Sequence, residues 1–256
     1  MDGENKASLE AAIADLKHAQ RVLVITGAGI SADSGLPTYR GVGGLYDRDL
    51  TEEGFPIEEC LSGGMFRQRP DITWKYLYQL ESTARGAGHN AGHKALADME
   101  KHFERFTILT QNVDGFHRDA GSTDVIEIHG NIHTLFCTAC GAEEWVADFS
   151  HLEEIPPKCE ACQAIVRPRV TLFDEWLPEE AVGRLEHTMA QGPDFVMSIG
   201  TIAGFPYIAA PMIHAANSEI PTLEINPSET EVSAFAKHPI RQRGIEVLPK
   251  LQRALQ

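Results

Sequence analysis

Four cysteines carry the first chemistry legible in this chain of 256 residues. They fall as Cys137-x-x-Cys140 and Cys159-x-x-Cys162, with eighteen residues between the pairs. Two thiols one turn apart can both reach a tetrahedral ion, and a second such pair closes the site. The spacing therefore predicts one structural zinc held by Cys137, Cys140, Cys159 and Cys162. Four thiolates leave no position for water or substrate, which argues against a catalytic metal. The expected role is to stiffen a small lobe with too little core of its own, Leu135, Phe136 and Trp145 being its apolar packing. The fifth cysteine, Cys60, has no partner at ligand spacing and reads as a buried, inert thiol. Nothing resembles a disulfide framework, so a reducing, cytoplasmic compartment is expected.

A second segment able to do chemistry is Gly27-Ala-Gly29-Ile-Ser-Ala-Asp33-Ser-Gly35, which follows the apolar run Arg21-Val-Leu-Val-Ile-Thr26. A glycine turn after a first strand brings backbone N–H groups close to a pyrophosphate. The third glycine of the usual dinucleotide fingerprint is missing and Gly35 lies too far on. Judged alone, the turn could equally be a strand-to-helix connection without function.

These segments must be positioned by a larger framework. Residues 8–19 place Leu9, Ala12, Ile13 and Leu16 on one helical face, with Ser8 as N-cap. Arg21–Thr26 reads as a buried parallel strand. Further strands are expected at Phe106–Thr110, Val125–Ile128, Phe195–Ile199, Thr222–Ile225 and Ile245–Leu248. Helical patterns lie between them, as in Leu96, Met99 and Phe103, or Val182, Leu185 and Met189. This alternation predicts an α/β fold, a doubly wound, parallel, Rossmann-like sheet. Residues 42–88 and 133–170 break it and read as insertions that together build a second, smaller lobe of helices and the zinc module. The expected division is thus 1–41, 89–132 and 171–256 for the sheet domain, with the ligand site between the lobes.

Composition excludes several classes. Apolar content is 43% and charged content 23%, ordinary for a globular protein. No apolar run reaches the ~18 residues of a membrane span, and the polar start, Met1-Asp-Gly-Glu-Asn-Lys6, lacks the pattern of a secretory signal. The net charge of −15 disfavours nucleic acid and favours encounter with cationic partners such as lysine-rich peptides.

Several segments, in order, resemble the sirtuin family of NAD-dependent protein deacylases. They are Gly27-Ala-Gly-Ile-Ser-Ala-Asp-Ser-Gly-Leu-Pro-Thr-Tyr-Arg40, Thr110-Gln-Asn-Val-Asp114-Gly-Phe-His117, His129-Gly130, the four cysteines, Gly200-Thr201, Ile225-Asn226 and Glu246-Val-Leu-Pro249. The resemblance implies NAD as co-substrate, an acylated lysine peptide as partner, and a role for each matched position. Gly27, Ala28 and Gly29 would hold the pyrophosphate. Asp33, Tyr39 and Arg40 would shape the nicotinamide-ribose pocket. Gln111, Asn112 and Asp114 would line the pocket where nicotinamide is cleaved, and Gly200, Thr201 and Asn226 would bind the adenosine half. His129 would be the catalytic base, acting with Asn112 and Asp114. In the family's mechanism the amide oxygen of an acyl-lysine attacks C1′ of the nicotinamide ribose. A base then activates a ribose hydroxyl toward the resulting imidate, and the acyl group ends on ADP-ribose. A histidine with its ordinary pKa of about 6.5 is mostly neutral at pH 7 and suits that step.

The chain departs from the family pattern in several places. Ile202 replaces a hydroxyl residue after Gly200-Thr201, and in Gly204-Phe-Pro-Tyr-Ile208 the proline is shifted. Tyr39 replaces phenylalanine. Asp174, in Phe173-Asp174-Glu175, replaces a glycine on the strand that pairs with the substrate peptide, adding charge and removing conformational freedom. Leu77 and Leu80 stand where members that prefer acidic acyl groups carry Tyr and Arg, so a neutral acyl group is expected. The rival readings are an ADP-ribosyltransferase or an NAD hydrolase, neither of which strictly needs His129 as a base.

Overall fold

The computed structural model describes residues 2–36 and 50–256. Six strands form a wholly parallel sheet: β1 (Arg21–Thr26), β2 (Arg105–Thr110), β3 (Val125–Glu127), β7 (Phe195–Ile199), β8 (Thr222–Ile225) and β9 (His238–Ile240). Their order is β3-β2-β1-β7-β8-β9, so the chain works outward from β1 in one direction and then from β7 in the other. That is the doubly wound arrangement, and it places a topological switch point between β1 and β7. Both faces are covered, which explains why the central strands are continuous apolar runs: five of the six residues of β1 and all of β7 are buried.

One face of the sheet packs on α1 (Gly3–Leu16), α6 (Ala91–Glu100) and α10 (Gly244–Ala254) through residues such as Leu16, Leu96, Met99 and Leu248. The other packs on α8 (Glu179–Ala190) and α9 (Pro206–Asn217) through Leu185, Ile208 and Met212. Two short helices, α2 (Ala28–Ser31) and α7 (Phe116–Asp119), begin just beyond the ends of β1 and β2. No described helix is long and apolar enough to cross a membrane.

A second, three-stranded antiparallel sheet has the order β5-β4-β6, with β4 at Gly130–Cys137, β5 at Glu143–Trp145 and β6 at Val166–Val170. It shares a core with α3 (Ile57–Cys60), α4 (Gly63–Gln68) and α5 (Pro70–Ala84): Ile57, Trp74 and Leu77 pack with Ile132, Leu135, Phe149 and Leu172. The apolar support of the cysteine module is therefore wider than Leu135, Phe136 and Trp145. Of these only Leu135 is buried, Trp145 is 70% exposed, and the Phe136 ring lies under the guanidinium groups of Arg167 and Arg169. Cys60 is buried as expected, and burial pushes its thiol pKa up.

Three local expectations are corrected. Ile245–Leu248 is helical, within α10; Gly244, Val247, Leu248 and Leu251 are its buried face at i, i+3, i+4 and i+7. The sixth strand is instead β9, three residues at the sheet edge with Pro239 in the middle. The first helix starts at Gly3, with the Asp2 carboxylate accepting from the Asn5 N–H at 2.9 Å as the cap in place of Ser8, and it ends at Leu16 rather than residue 19.

Candidate functional site

The residues singled out by sequence collect at the carboxyl ends of the parallel strands. Gly27, Ala28 and Gly29 follow β1, Gln111, Asn112 and Asp114 follow β2, Gly200 and Thr201 follow β7, and Asn226 follows β8. Tyr39 and Arg40 lie outside the described residues. The turns after β1 and β7 touch backbone to backbone: a Cβ on Gly29 would sit 2.7 Å from the Gly200 Cα, and Gly200 itself holds φ +59. Glycine is needed here for this close approach of two loops. Gly27 and Gly29 spend their N–H groups on the carbonyls of Ile199 and Gly200. The Ala28 N–H donates to no described partner, so it is the group left for an anion at the switch point.

A hydrogen-bonded chain braces this turn. The Asn112 side-chain nitrogen donates to the Gly27 carbonyl and to Ser31 Oγ, each at 3.1 Å. Ser31 Oγ donates to Asp114 Oδ2 at 2.7 Å, and the Phe116 N–H donates to Asp114 Oδ1 at 3.0 Å. Burial pushes the Asp114 pKa up, while its bond from Ser31 works in the opposite sense. Gln111 Nε2 donates to Thr201 Oγ1 at 2.8 Å, and Asn226 Nδ2 to the Thr201 carbonyl at 3.1 Å, tying the ends of β2, β7 and β8 together. Asp33 pairs with Arg243 at 2.9 Å through one carboxylate oxygen, while the other is buried without a described partner. Ile202, at the departure from the pattern, is 73% exposed.

His129 stands where the two sheets meet, one residue past Ile128 and just before β4. Its carbonyl accepts from the Thr171 N–H at 2.8 Å. Gly130 follows with φ +82, and a Cβ there would lie 1.9 Å from the Arg169 carbonyl oxygen, so the His-Gly pair is fixed by the approach of β6. The imidazole Nδ1 lies 3.1 Å from the Gln111 carbonyl and Nε2 lies 2.7 Å from the Tyr207 hydroxyl. A carbonyl only accepts, so Nδ1 carries the proton of the neutral ring and Nε2 is the basic nitrogen. Burial draws the pKa of His129 below the ordinary value, against the Gln111 bond, which favours the charged form.

Four participants were not legible in the sequence as partners: Ser31, His93, His117 and Thr26. Ser31 Oγ is 3.4 Å from His93 Nε2, His93 stacks edge-on to His117 at 4.9 Å, and His117 Nε2 meets Thr26 Oγ1 at 2.9 Å. Desolvation pulls His93 to a pKa of about 4 and His117 to about 3. The folded values lie below the unfolded one, so the folded state binds fewer protons and loses stability as pH falls below about 6.5. At pH 5 each histidine costs about 2 kcal/mol, and with two neighbours sharing one site the total is about 2 to 4 kcal/mol. Thermal melts at pH 7 and pH 5 are expected to show this loss, and a double His93→Gln, His117→Gln variant should show a flatter acid limb. An equal acid slope in that variant counts against it.

Asp174 holds φ +67, the left-handed region that favours glycine. Its carboxylate caps α4, accepting from the N–H groups of Gly63 at 2.8 Å and Gly64 at 3.1 Å. The added charge thus bonds to the start of α4. The neighbouring Glu175 is held by Arg167 in a two-pronged pair at 2.7 and 2.9 Å.

The sulfur atoms of Cys137, Cys140, Cys159 and Cys162 lie within 4.8 Å of one another, with Cys137–Cys162 at 3.4 Å and Cys140–Cys159 at 3.7 Å. Tetrahedral zinc with Zn–S bonds of about 2.3 Å needs sulfur separations of about 3.8 Å. The Ala139 and Cys140 N–H groups point at the Cys137 sulfur at 3.5 Å, as suits a thiolate. The cluster fits one structural zinc.

The model of the Sir2 family matches residues 27–204. The chain belongs to the Sir2 family. NAD-dependent protein deacylase 2 of Pseudomonas aeruginosa is 47% identical over 239 residues, covering 92% of this chain and 93% of the relative. The protein of the same name from Pseudomonas syringae pv. tomato is 48% identical, covering 95% of this chain and 98% of its own. Among solved structures, a Sir2 homolog–NAD complex superposes with a TM-score of 0.85 at 31% identity, covering 96% of this chain and 93% of that one. The Sir2 fold accounts for the two sheets and for the cysteine module.

Proposed function

We infer that this chain is an NAD-dependent protein-lysine deacylase that moves an acyl group from lysine to ADP-ribose and releases nicotinamide. The observation that carries it is His129, held as a neutral base against the Gln111 carbonyl where the two sheets meet, in a chain 47% identical to a relative named for this activity. NAD supplies a ribose whose bond to nicotinamide can be broken and whose hydroxyl receives the acyl group. Among this chain's residues, the Ala28 N–H and the turn of Gly27 and Gly29 hold the pyrophosphate. Asp33, with Tyr39 and Arg40, shapes the nicotinamide-ribose pocket, while Asn112, Asp114 and Gln111 orient the ribose and carboxamide. Gly200, Thr201 and Asn226 receive the adenosine half. His129 Nε2 takes the proton of the ribose hydroxyl. The rival ADP-ribosyltransferase and NAD hydrolase readings are not favoured, since both leave the tautomer held at His129 without a use.

The division into a sheet domain of 1–41, 89–132 and 171–256 and a small lobe of 42–88 and 133–170 is proposed on the core that Ile57, Trp74 and Leu77 share with Leu135, Phe149 and Val170; Ile132 and Leu172, just across the proposed boundaries, pack on the same core. The 41/42 boundary lies outside the described residues. The four metal-bound thiols and the acidic surface favour a cytoplasmic enzyme that acts on lysine-bearing proteins and avoids nucleic acid.

The acyl group it takes is neutral. Leu77 is buried and Leu80 packs on the same core. Two cations of this segment are already paired: Lys75 with Glu52 and Glu53, and Arg85, which caps α5 and lies over the Tyr78 ring, with Glu81. Acetyl, butyryl and succinyl versions of one lysine peptide test both statements, with NAD present and the acyl-ADP-ribose product read by mass spectrometry. The acetyl or butyryl peptide is expected to exceed the succinyl peptide by about a hundredfold in kcat/KM, the cost of leaving a carboxylate without its guanidinium. A succinyl peptide that matches the acetyl one ends the neutral-pocket reading. ADP-ribose without acyl product ends the deacylase reading.

A further inference from the structure

We propose that Tyr207 is a positioning residue for His129, a role that rests on the deacylase reading above. The segment that departs from the family pattern, Gly204-Phe-Pro-Tyr-Ile208, leads into α9, and Pro206 is the first residue of that helix. This places Tyr207 in the first turn, with its hydroxyl 2.7 Å from His129 Nε2. Desolvation pushes the Tyr207 pKa up, so the hydroxyl keeps its proton and donates it. The two ring nitrogens of His129 are thus matched to two partners of opposite kind. The Gln111 carbonyl accepts from Nδ1–H at 3.1 Å, and the Tyr207 hydroxyl donates to Nε2. Turned by half a rotation about its ring axis, the imidazole would set carbon atoms against both.

The rings add a second constraint. Phe205 stacks on Tyr207 with centroids 5.5 Å apart and planes at 15°. His129 stands edge-on to both, at 5.8 Å and 82° from Phe205 and at 6.0 Å and 86° from Tyr207. The imidazole is fixed by two hydrogen bonds and two ring faces before any substrate arrives. The tyrosine hydroxyl occupies the lone pair that the ribose hydroxyl must use, so it keeps Nε2 aimed and then gives the position up. Orientation established in advance is entropy that the acyl-transfer step does not lose.

Tyr207→Phe keeps the stacked ring and removes only the hydroxyl. With the full chain, acetyl-lysine peptide and NAD, two steps are read from the same samples: exchange of labelled nicotinamide into NAD, and single-turnover formation of acyl-ADP-ribose. Acyl transfer is expected to slow about tenfold, the effect of one orienting hydrogen bond. Exchange and the KM values should stay within about twofold, and the melting temperature should match the parent's. In the free protein, 15N-histidine NMR should report His129 as the Nδ1–H tautomer with a hydrogen-bonded Nε2, whose signal moves in the variant. An unchanged or faster acyl transfer overturns the assignment. So does an equal fall in exchange and transfer, which would mark Tyr207 as packing alone, or an Nε2 signal that does not move. A parent protein that releases no nicotinamide overturns the deacylase reading instead, while the NMR signal still judges Tyr207.

Discussion

Alanine at His129 is expected to lower acyl transfer by about a thousandfold while nicotinamide exchange remains measurable. On the proposed mechanism the base acts after C1′ of the ribose has been attacked, and the exchange step draws on Asn112, Asp114 and the turn at Ala28. Those groups are braced by Ser31 and Gly27 without any help from the imidazole. A general base contributes about 10²- to 10⁴-fold. The upper part of that range fits here, because the site is dry enough to pull His129 below its ordinary pKa and no other neutral imidazole reaches the same position. His93 and His117 are held elsewhere, His93 Nε2 against Ser31 Oγ at 3.4 Å and His117 Nε2 against Thr26 Oγ1 at 2.9 Å. Separate readouts of exchange and of acyl-ADP-ribose check it, and full multiple-turnover activity in His129→Ala would end the assignment. Loss of both steps together would mean that the histidine supports the pocket instead of acting as its base.

The framework that positions His129 was legible wherever the local pattern was long. β1, β2 and β7 are apolar runs bounded by turns and buried almost throughout. The errors came where a short window was asked to decide. Ile245–Leu248 alone looks like a strand, but the period of 3.6 appears once Gly244 and Leu251 are included. β9 spans three residues with a proline at its centre, and its pairing with β8 comes from tertiary contact rather than from its own composition.

The site was legible as an ordered set of motifs and illegible as a network. Asn112 and Ser31 are 81 residues apart, and His129 and Tyr207 are 78 apart. No spacing rule links such pairs; the sheet order does, by bringing the ends of β1, β2 and β7 side by side. Asp174 makes the same point at one position. Read as a residue type it is a lost glycine with an added charge. In place it holds φ +67 and spends its carboxylate on two helix N–H groups. The helix terminus that accepts the charge lies 110 residues upstream, where no local reading could have looked.

Removing the zinc should unfold the cysteine module before it affects the parallel sheet. From Cys137 to Cys162 the chain buries little apart from Val146, Phe149, Pro157, Cys137 and Cys159: β5 is exposed along its whole length, as are Cys140 and Cys162. In zinc-binding peptides the metal contributes about 10 to 16 kcal/mol of apparent binding free energy, and in a module with so little core that energy is folding energy. A Ser at Cys140 or Cys159 removes one of four ligands and much of that contribution. The expected result is a protein that is cut by protease within residues 138–165, or that aggregates, while the parallel sheet keeps its protection. Activity should fall with the lobe even though four thiolates leave the metal no place for substrate. The connection is β6: Arg167 on that strand holds Glu175 beside Asp174, and Arg169 meets Gly130 next to His129. Limited proteolysis, hydrogen exchange and a melting curve before and after chelation measure it. A metal-free protein with an unchanged melting curve and intact protection over 138–165 would contradict it. A metal-free protein that stays folded but inactive would show instead that the zinc takes part in the chemistry.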